Sequence, residues 1–188
     1  MADAIDRYFD EVLEAIRGID RSSVRAVVDA LFEAWRQDRQ IFIIGNGGSA
    51  STASHMMNDL CKFTRSPGRR PIRAIALTDN VPLLTAYAND QGYEDVFVEP
   101  LRAFMREGDV LIAISGSGNS PNVVRAAAFA AERGACVVGL CGSPGGKLAE
   151  LATVRIIVPA RHIGQQEDGH LAVNHAVATA LRERLASA

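Results

Sequence analysis

The sequence predicts a three-layer α/β sandwich: a five-stranded parallel sheet between two helical layers, preceded by a two-helix extension. Three observations carry this. Five short apolar runs are spread along the chain, segments of helical period lie between them, and two of the runs stop at glycine- or serine-rich loops. Strands buried on both faces and joined by helical crossovers read this way. At 188 residues the chain is long enough to bury one full core, and no linker, low-complexity tract or internal repeat divides it, so a single domain over 1–188 is expected, with the extension at 1–38.

In order, residues 4–17 place Ile5, Tyr8, Phe9, Val12, Leu13 and Ile16 on one helical stripe. Residues 23–38 do the same with Val24, Val27, Val28, Leu31, Phe32 and Trp35. The period then changes at Ile41-Phe42-Ile43-Ile44, a continuous apolar run, and such runs recur at Ile72–Leu77, Val110–Ile114, Cys136–Leu140 and Val154–Val158. Helical segments fall at about 50–63, at 81–105 with a break before Pro100, and at 122–133, 146–151 and 166–186.

Composition excludes several classes of function. The net charge is −2 with no block of like charge, which speaks against nucleic-acid or anionic-membrane partners. Lys62 and Lys147 are the only lysines, so Schiff-base chemistry has few candidates. Residues 1–6 lack the features of a secretion signal, and no apolar stretch is long enough to span a bilayer, so a cytoplasmic protein is expected. Cys61, Cys136 and Cys141 form an odd set without CxxC spacing and read as reduced, largely buried thiols.

Ligands of open parallel sheets sit beyond the carboxyl ends of the strands, and two loops there are unusual. Gly45-Asn46-Gly47-Gly48-Ser49-Ala50 lets backbone approach a ligand, with Ser49 as the expected helix cap. Ser115-Gly116-Ser117-Gly118-Asn119-Ser120-Pro121 offers hydroxyls and N–H groups ahead of a helix, a phosphate cradle that needs no lysine. Either loop alone also fits a tight turn with a serine cap. Neither completes a Walker A or dinucleotide-binding pattern, which disfavours nucleotides.

With His55, Ala74-Ile75-Ala76-Leu77-Thr78, Leu84-Thr85-Ala86 and Asn89-Asp90, these loops make the chain resemble the sugar isomerase (SIS) domain family, and most closely its phosphoheptose isomerase branch, over nearly its whole length. The resemblance implies a flavodoxin-like sheet and interconversion of sedoheptulose 7-phosphate and D-glycero-D-manno-heptose 7-phosphate. It implies that Ser115, Ser117 and Ser120 hold the phosphate, helped by Gly116 and Asn119. Asn46, Gly47 and Ser49 would face the sugar, and Asp90 would reach its hydroxyls. It also implies a homotetramer.

Aldose–ketose isomerisation needs a base, an acid and a group that polarises the carbonyl. His55 and Asp59 are spaced i,i+4 and share a helix face, although such a pair also reads as a surface ion pair. On the last helix Glu167 and His175 differ by roughly 80° and can line one cleft, whereas His170 and His175 point roughly 140° apart. His170 is expected to be structural, and His162 a solvated loop residue. Arg69 and Arg70 read as an exposed turn, or as a reach toward a neighbouring subunit.

By the resemblance, family members carry histidine and glutamate at His55 and Asp59, and glutamine and histidine at Glu167 and His175. The four bind zinc in some members, and the residues at Asp59 and His175 are base and acid. Here the base is one methylene shorter, which draws it back from its proton by about 1.5 Å, whereas the glutamine has become a glutamate, and this added carboxylate favours a divalent cation, Zn²⁺ on His55, Asp59, Glu167 and His175. Glu167 is also expected to touch substrate. Two alternatives remain: a non-catalytic SIS protein of the DnaA initiator-associating type, or an isomerase for another phosphosugar.

Overall fold

The computed structural model describes residues 3–188. Met1 and Ala2, the start of the segment read for a secretion signal, lie outside it. Its sheet comprises β1 (Ile41–Gly45), β2 (Ala74–Ala76), β3 (Val110–Ser115), β4 (Cys136–Gly142) and β5 (Val154–Val158), all parallel, in the order β2-β1-β3-β4-β5. The helices are α1 (Ala4–Arg17), α2 (Arg21–Arg36), α3 (Gly48–Asn58), α4 (Val81–Asp90), α5 (Val98–Phe104), α6 (Pro121–Glu132), α7 (Gly146–Leu151) and α8 (Ile163–Ser187).

Alternation along the strands divides the core in two. Ile41, Ile43, Val110, Ile112, Ile114, Val138 and Leu140 point to one face, where α2, α3 and α8 contribute Leu31, Met56 and Val173. Phe42, Ile44, Leu111, Ala113, Val137 and Cys141 point to the other, covered by Leu101 of α5, Val123 of α6 and Leu148 of α7. The runs carry no polar alternation because both sides are buried.

The strand order places the chain's reversal between β1 and β3, with Gly45 paired to Ile114. The two unusual loops therefore leave the sheet side by side, at the crevice where open α/β sheets bind ligands.

Several local expectations are corrected. Only 74–76 of the 72–77 run pairs as a strand. The 81–105 segment breaks at 91–97 around a 3₁₀ turn (Tyr93–Asp95), and Pro100 sits in the first turn of α5, where a missing N–H costs no helical bond. The 50–63 segment is α3 followed by a π-helical turn over Asp59–Phe63.

His162 is exposed just before α8, as a solvated loop residue would be, and it also caps the helix, its Nδ1 accepting from the Gly164 N–H at 3.1 Å. Arg70 is spent within the chain: its guanidinium donates to the Trp35 and Arg36 carbonyls and lies over the Trp35 ring. All three cysteines are free, and burial pushes the Cys141 thiol up to about 12. No helix among the described residues is long and apolar enough to cross a membrane.

Candidate active site

Side by side at the crevice, the two loops enclose a cavity of about 310 Å³ lined by Asn46, Gly47, Gly48, Ser49, Ser115, Gly116, Ser117, Ser120 and Glu167, with Ile114 and Ile163. Its polar wall is built by the 115–120 loop. Gly118 N–H donates to Ser115 Oγ at 3.2 Å, Ser115 Oγ lies 3.3 Å from Ser120 Oγ, and Asn119 N–H donates to Ser117 Oγ at 3.2 Å.

Gly118 is required twice. Its φ is +65°, and an added Cβ would stand 1.8 Å from the Gly145 carbonyl oxygen. Asn119 braces the loop instead of facing the cavity: its Nδ2 donates to the Ser117 carbonyl at 3.0 Å and its Oδ1 accepts from Lys147 N–H at 3.1 Å.

The first loop also departs from expectation. Helix α3 begins at Gly48 with Gly47 as its cap residue, so Ser49 does not cap it and its buried hydroxyl lines the cavity. Asn46 is held by a reciprocal amide pair with Asn122, both bonds 2.9 Å, and accepts from Tyr93 Oη at 3.0 Å. Asn122 and Tyr93 were not singled out in the sequence. Asn122 is two residues past the serine loop and its buried amide is the signal that could have drawn notice, whereas Tyr93 gave none. Asp90 lies outside the cavity at the exposed end of α4, accepting from Asn89 at 2.7 Å.

Helices α3 and α8 both start at this cavity, and helical side chains lean toward the N-terminus, hence back toward it. Two turns along, they bring three side chains together. His55 Nε2 and His175 Nε2 are 3.2 Å apart, and Asp59 Oδ2 lies 3.4 Å from the first and 3.8 Å from the second. Asp59 is buried at the start of the π turn, while both rings reach solvent. These three could hold a metal ion. The spacing fits one well, because ligands about 2.0–2.1 Å from a tetrahedral Zn²⁺ lie roughly 3.3 Å from one another.

Glu167 does not join them. Its carboxylate lies against Gly48, where a Cβ would meet Oε1 at 2.3 Å, and it lines the cavity instead. In this structure the Glu167 carboxylate is turned toward the cavity and away from the three donors, although it shares their side of α8. A carboxylate here opposes an anion, so it suits the hydroxyls of a ligand rather than its phosphate. His170 is buried, as a structural histidine would be, and burial lowers its pKa from the usual histidine value.

The SIS domain family matches residues 7–142. A phosphoheptose isomerase of Geotalea daltonii is 37% identical over 175 residues, covering 93% of this chain and 91% of that protein. One from Mycobacterium tuberculosis is 43% identical over 155 residues, covering 82% and 79%. The structure of a phosphoheptose isomerase from Neisseria gonorrhoeae superposes with a TM-score of 0.88 at 31% identity, covering 95% of this chain and 97% of the other. With the hydroxyl-lined cavity between β1 and β3, these likenesses establish that the chain belongs to the SIS domain family, on its phosphoheptose isomerase branch.

Proposed function

We propose that the protein is an aldose–ketose isomerase that interconverts sedoheptulose 7-phosphate and D-glycero-D-manno-heptose 7-phosphate. The observation that carries this reading is the convergence of His55, Asp59 and His175 from the two helices that begin at the serine-lined cavity. A phosphate on Ser115, Ser117 and Ser120 would leave an open sugar chain directed along α3 and α8. An extended seven-carbon chain with its phosphate spans roughly 10 Å on ordinary bond lengths, comparable to the two turns that separate cavity and triad.

From ketose to aldose, an Asp59 oxygen takes a proton from C1 while His175 donates one to O2, giving the ene-diol. The proton on O1 then returns to His175 as the C1 carbonyl forms, and Asp59 delivers its proton to C2. Each group ends in its starting state, as general acid–base catalysis requires. Glu167, Asn46 and Ser49 orient the sugar hydroxyls.

His55, Asp59 and His175 are the proposed ligands of a Zn²⁺ ion at rest, with a fourth position open as in catalytic zinc sites. Because a ring nitrogen held by a metal carries no proton and a metal-bound carboxylate is a weaker base, His175 and Asp59 would move protons only once substrate has partly opened that set. Bound there, zinc would polarise the carbonyl oxygen. Glu167, which faces the cavity and not the three donors in this structure, is left out of the proposed set.

The proposal includes self-association into a tetramer. Ile5, Phe9, Leu13 and Ile16 form an exposed apolar stripe on α1, and Ile16 runs into an apolar groove with Ile19, Val24, Val173 and Ala176. Such a patch beside the site marks an interaction surface. The three free thiols suit a cytoplasmic location.

The test is incubation with sedoheptulose 7-phosphate and shorter ketose phosphates in D₂O, with and without added Zn²⁺. The reading expects an aldose product deuterated at C2 and preference for the seven-carbon substrate. Absence of both isomerisation and exchange on every substrate would reject it. Sedimentation at micromolar concentration tests the tetramer, and a monomer that remains fully active would remove it.

A further inference from the structure

Beneath the three-donor group, the inner face of α8 carries polar residues where a core helix usually carries apolar ones. Asn174 and His170 are fully buried and four residues apart, so they lie on one face. Asn174 Nδ2 donates to Asp59 Oδ2 at 2.9 Å. This is the same oxygen that faces His55 Nε2 at 3.4 Å and His175 Nε2 at 3.8 Å. Among the described residues four buried side-chain polar atoms have no hydrogen-bond partner, and three of them are Asn174 Oδ1 and the two ring nitrogens of His170.

Unpartnered buried polar atoms are costly, and aliphatic residues at both positions would avoid the cost. His170 stands one turn earlier along α8 against the Cys141 backbone, whereas the free Oδ1 of Asn174 accompanies an amide already committed to Asp59, which points away from packing and toward a task.

We propose that Asn174 is a positioning residue for Asp59, holding Oδ2 toward the two imidazoles so that the three donors stand at the spacing a tetrahedral cation needs. This rests on the isomerase reading only for its kinetic consequences. A carboxylate accepts and cannot donate, so the Asn174 amide must present Nδ2 to Asp59, and its Oδ1 is turned away. Asp59 is thereby held at two points, by its backbone at the π turn and by the amide at its tip, while Oδ1 of the carboxylate stays free to move a proton. Such partners behind a metal ligand fix its orientation, and losing them typically weakens metal binding or activity by about 10–100-fold.

The experiment uses Asn174→Leu, close in size and apolar, and Asn174→Ala, which keeps the test open should leucine fail to fold. Zn²⁺ is titrated into metal-free protein against a chromophoric chelator, and isomerase kinetics are measured beside it. Both variants should bind Zn²⁺ about 10–100-fold more weakly and lose kcat by a similar factor. KM should stay within about twofold, because the phosphate is held two turns away. A residue that merely filled space would change Tm without this split.

Zn²⁺ affinity and kcat both within about twofold of wild type in folded variants would overturn the proposal, as would a KM that rises in step with the fall in kcat. So would a wild-type protein that binds no Zn²⁺. A wild type that binds Zn²⁺ through Asn174-dependent geometry yet turns over no sugar phosphate would support the positioning role and reject the isomerase reading alone.

Discussion

Replacing Ser120 by Ala should separate phosphate recognition from folding more cleanly than any other change in the serine loop. Ser120 stands at the cap position of α6 but makes no capping bond, and its hydroxyl meets only Ser115 Oγ, at 3.3 Å. Ser115 Oγ accepts from Gly118 N–H, and when an anion occupies the cavity the arrangement with Ser115 donating to Ser120 leaves the Ser120 proton for that anion. A chain of donors ending at an anion is polarised along its length. Removing its last member should cost about 1.5–3 kcal/mol of binding, the range for hydrogen bonds to charged groups, or roughly 10- to 150-fold in affinity. Stability should hardly change, because no capping bond is lost. The assay is calorimetric titration of wild type and Ser120→Ala with sedoheptulose 7-phosphate and with unphosphorylated sedoheptulose. The phosphorylated sugar should lose affinity and the other should not. Equal losses on both sugars, or a loss below about threefold on the phosphate, would refute the assignment of this hydroxyl to the phosphate.

Gly118→Ala should lower Tm by roughly 5–15 °C, since a Cβ there meets the Gly145 carbonyl at 1.8 Å in a left-handed backbone; a Tm within a degree of wild type by calorimetry would show that the loop yields. Glu167→Gln should tighten binding of inorganic phosphate several-fold by removing a like charge from the cavity wall, and should leave Zn²⁺ affinity unchanged because Glu167 stands apart from the three donors. Weaker zinc binding in that variant would restore Glu167 to the ligand set. For His170, burial lowers the folded pKa below the usual 6.5. The unfolded chain therefore takes up a proton that the folded ring refuses, and stability is lost as pH falls below about 6.5 toward the folded value. His170→Leu should flatten that slope by up to about 1.4 kcal/mol per pH unit in urea midpoints taken from pH 8 to 5, and parallel curves would show that His170 is not the group responsible.

The sheet was legible because strands buried on both faces leave an uninterrupted apolar record. β1 and β3 match their runs to within a residue. Edge strand β2 shrank to Ala74–Ala76 because pairing, not apolarity, defines a strand, and it has a neighbour only along β1. The break in the 81–105 segment was misplaced for a related reason. Proline reads as a terminator, yet at the third position of α5 its missing N–H is one that the helix would not have bonded. The α1 stripe was visible as a whole, but not its division. Tyr8 and Val12 are half-buried while Ile5, Phe9, Leu13 and Ile16 face out, and which edge of an amphipathic helix is covered depends on neighbours that the local sequence does not contain.

At the site, helix geometry was legible and the turn of a long side chain was not. Spacing along one helix is a local quantity, so the i,i+4 pair His55 and Asp59 could be read directly, and the structure closes it to 3.4 Å. Angle about α8 was likewise readable: His170 turned inward and His175 outward. Glu167 shares an angular sector with His175, about 12 Å along the axis, but which way its long side chain turns depends on Gly48 and the cavity, neighbours that the helix spacing does not contain. That length is what gives the site two ends. With the serine loop at one end and the three donors two turns further, the proposed reaction calls for a ligand long enough to meet both. The division of labour also explains why Asn174 was silent in the sequence. Its neighbour Asp59 is 115 residues away, and an asparagine on a helix announces neither burial nor the carboxylate that it holds.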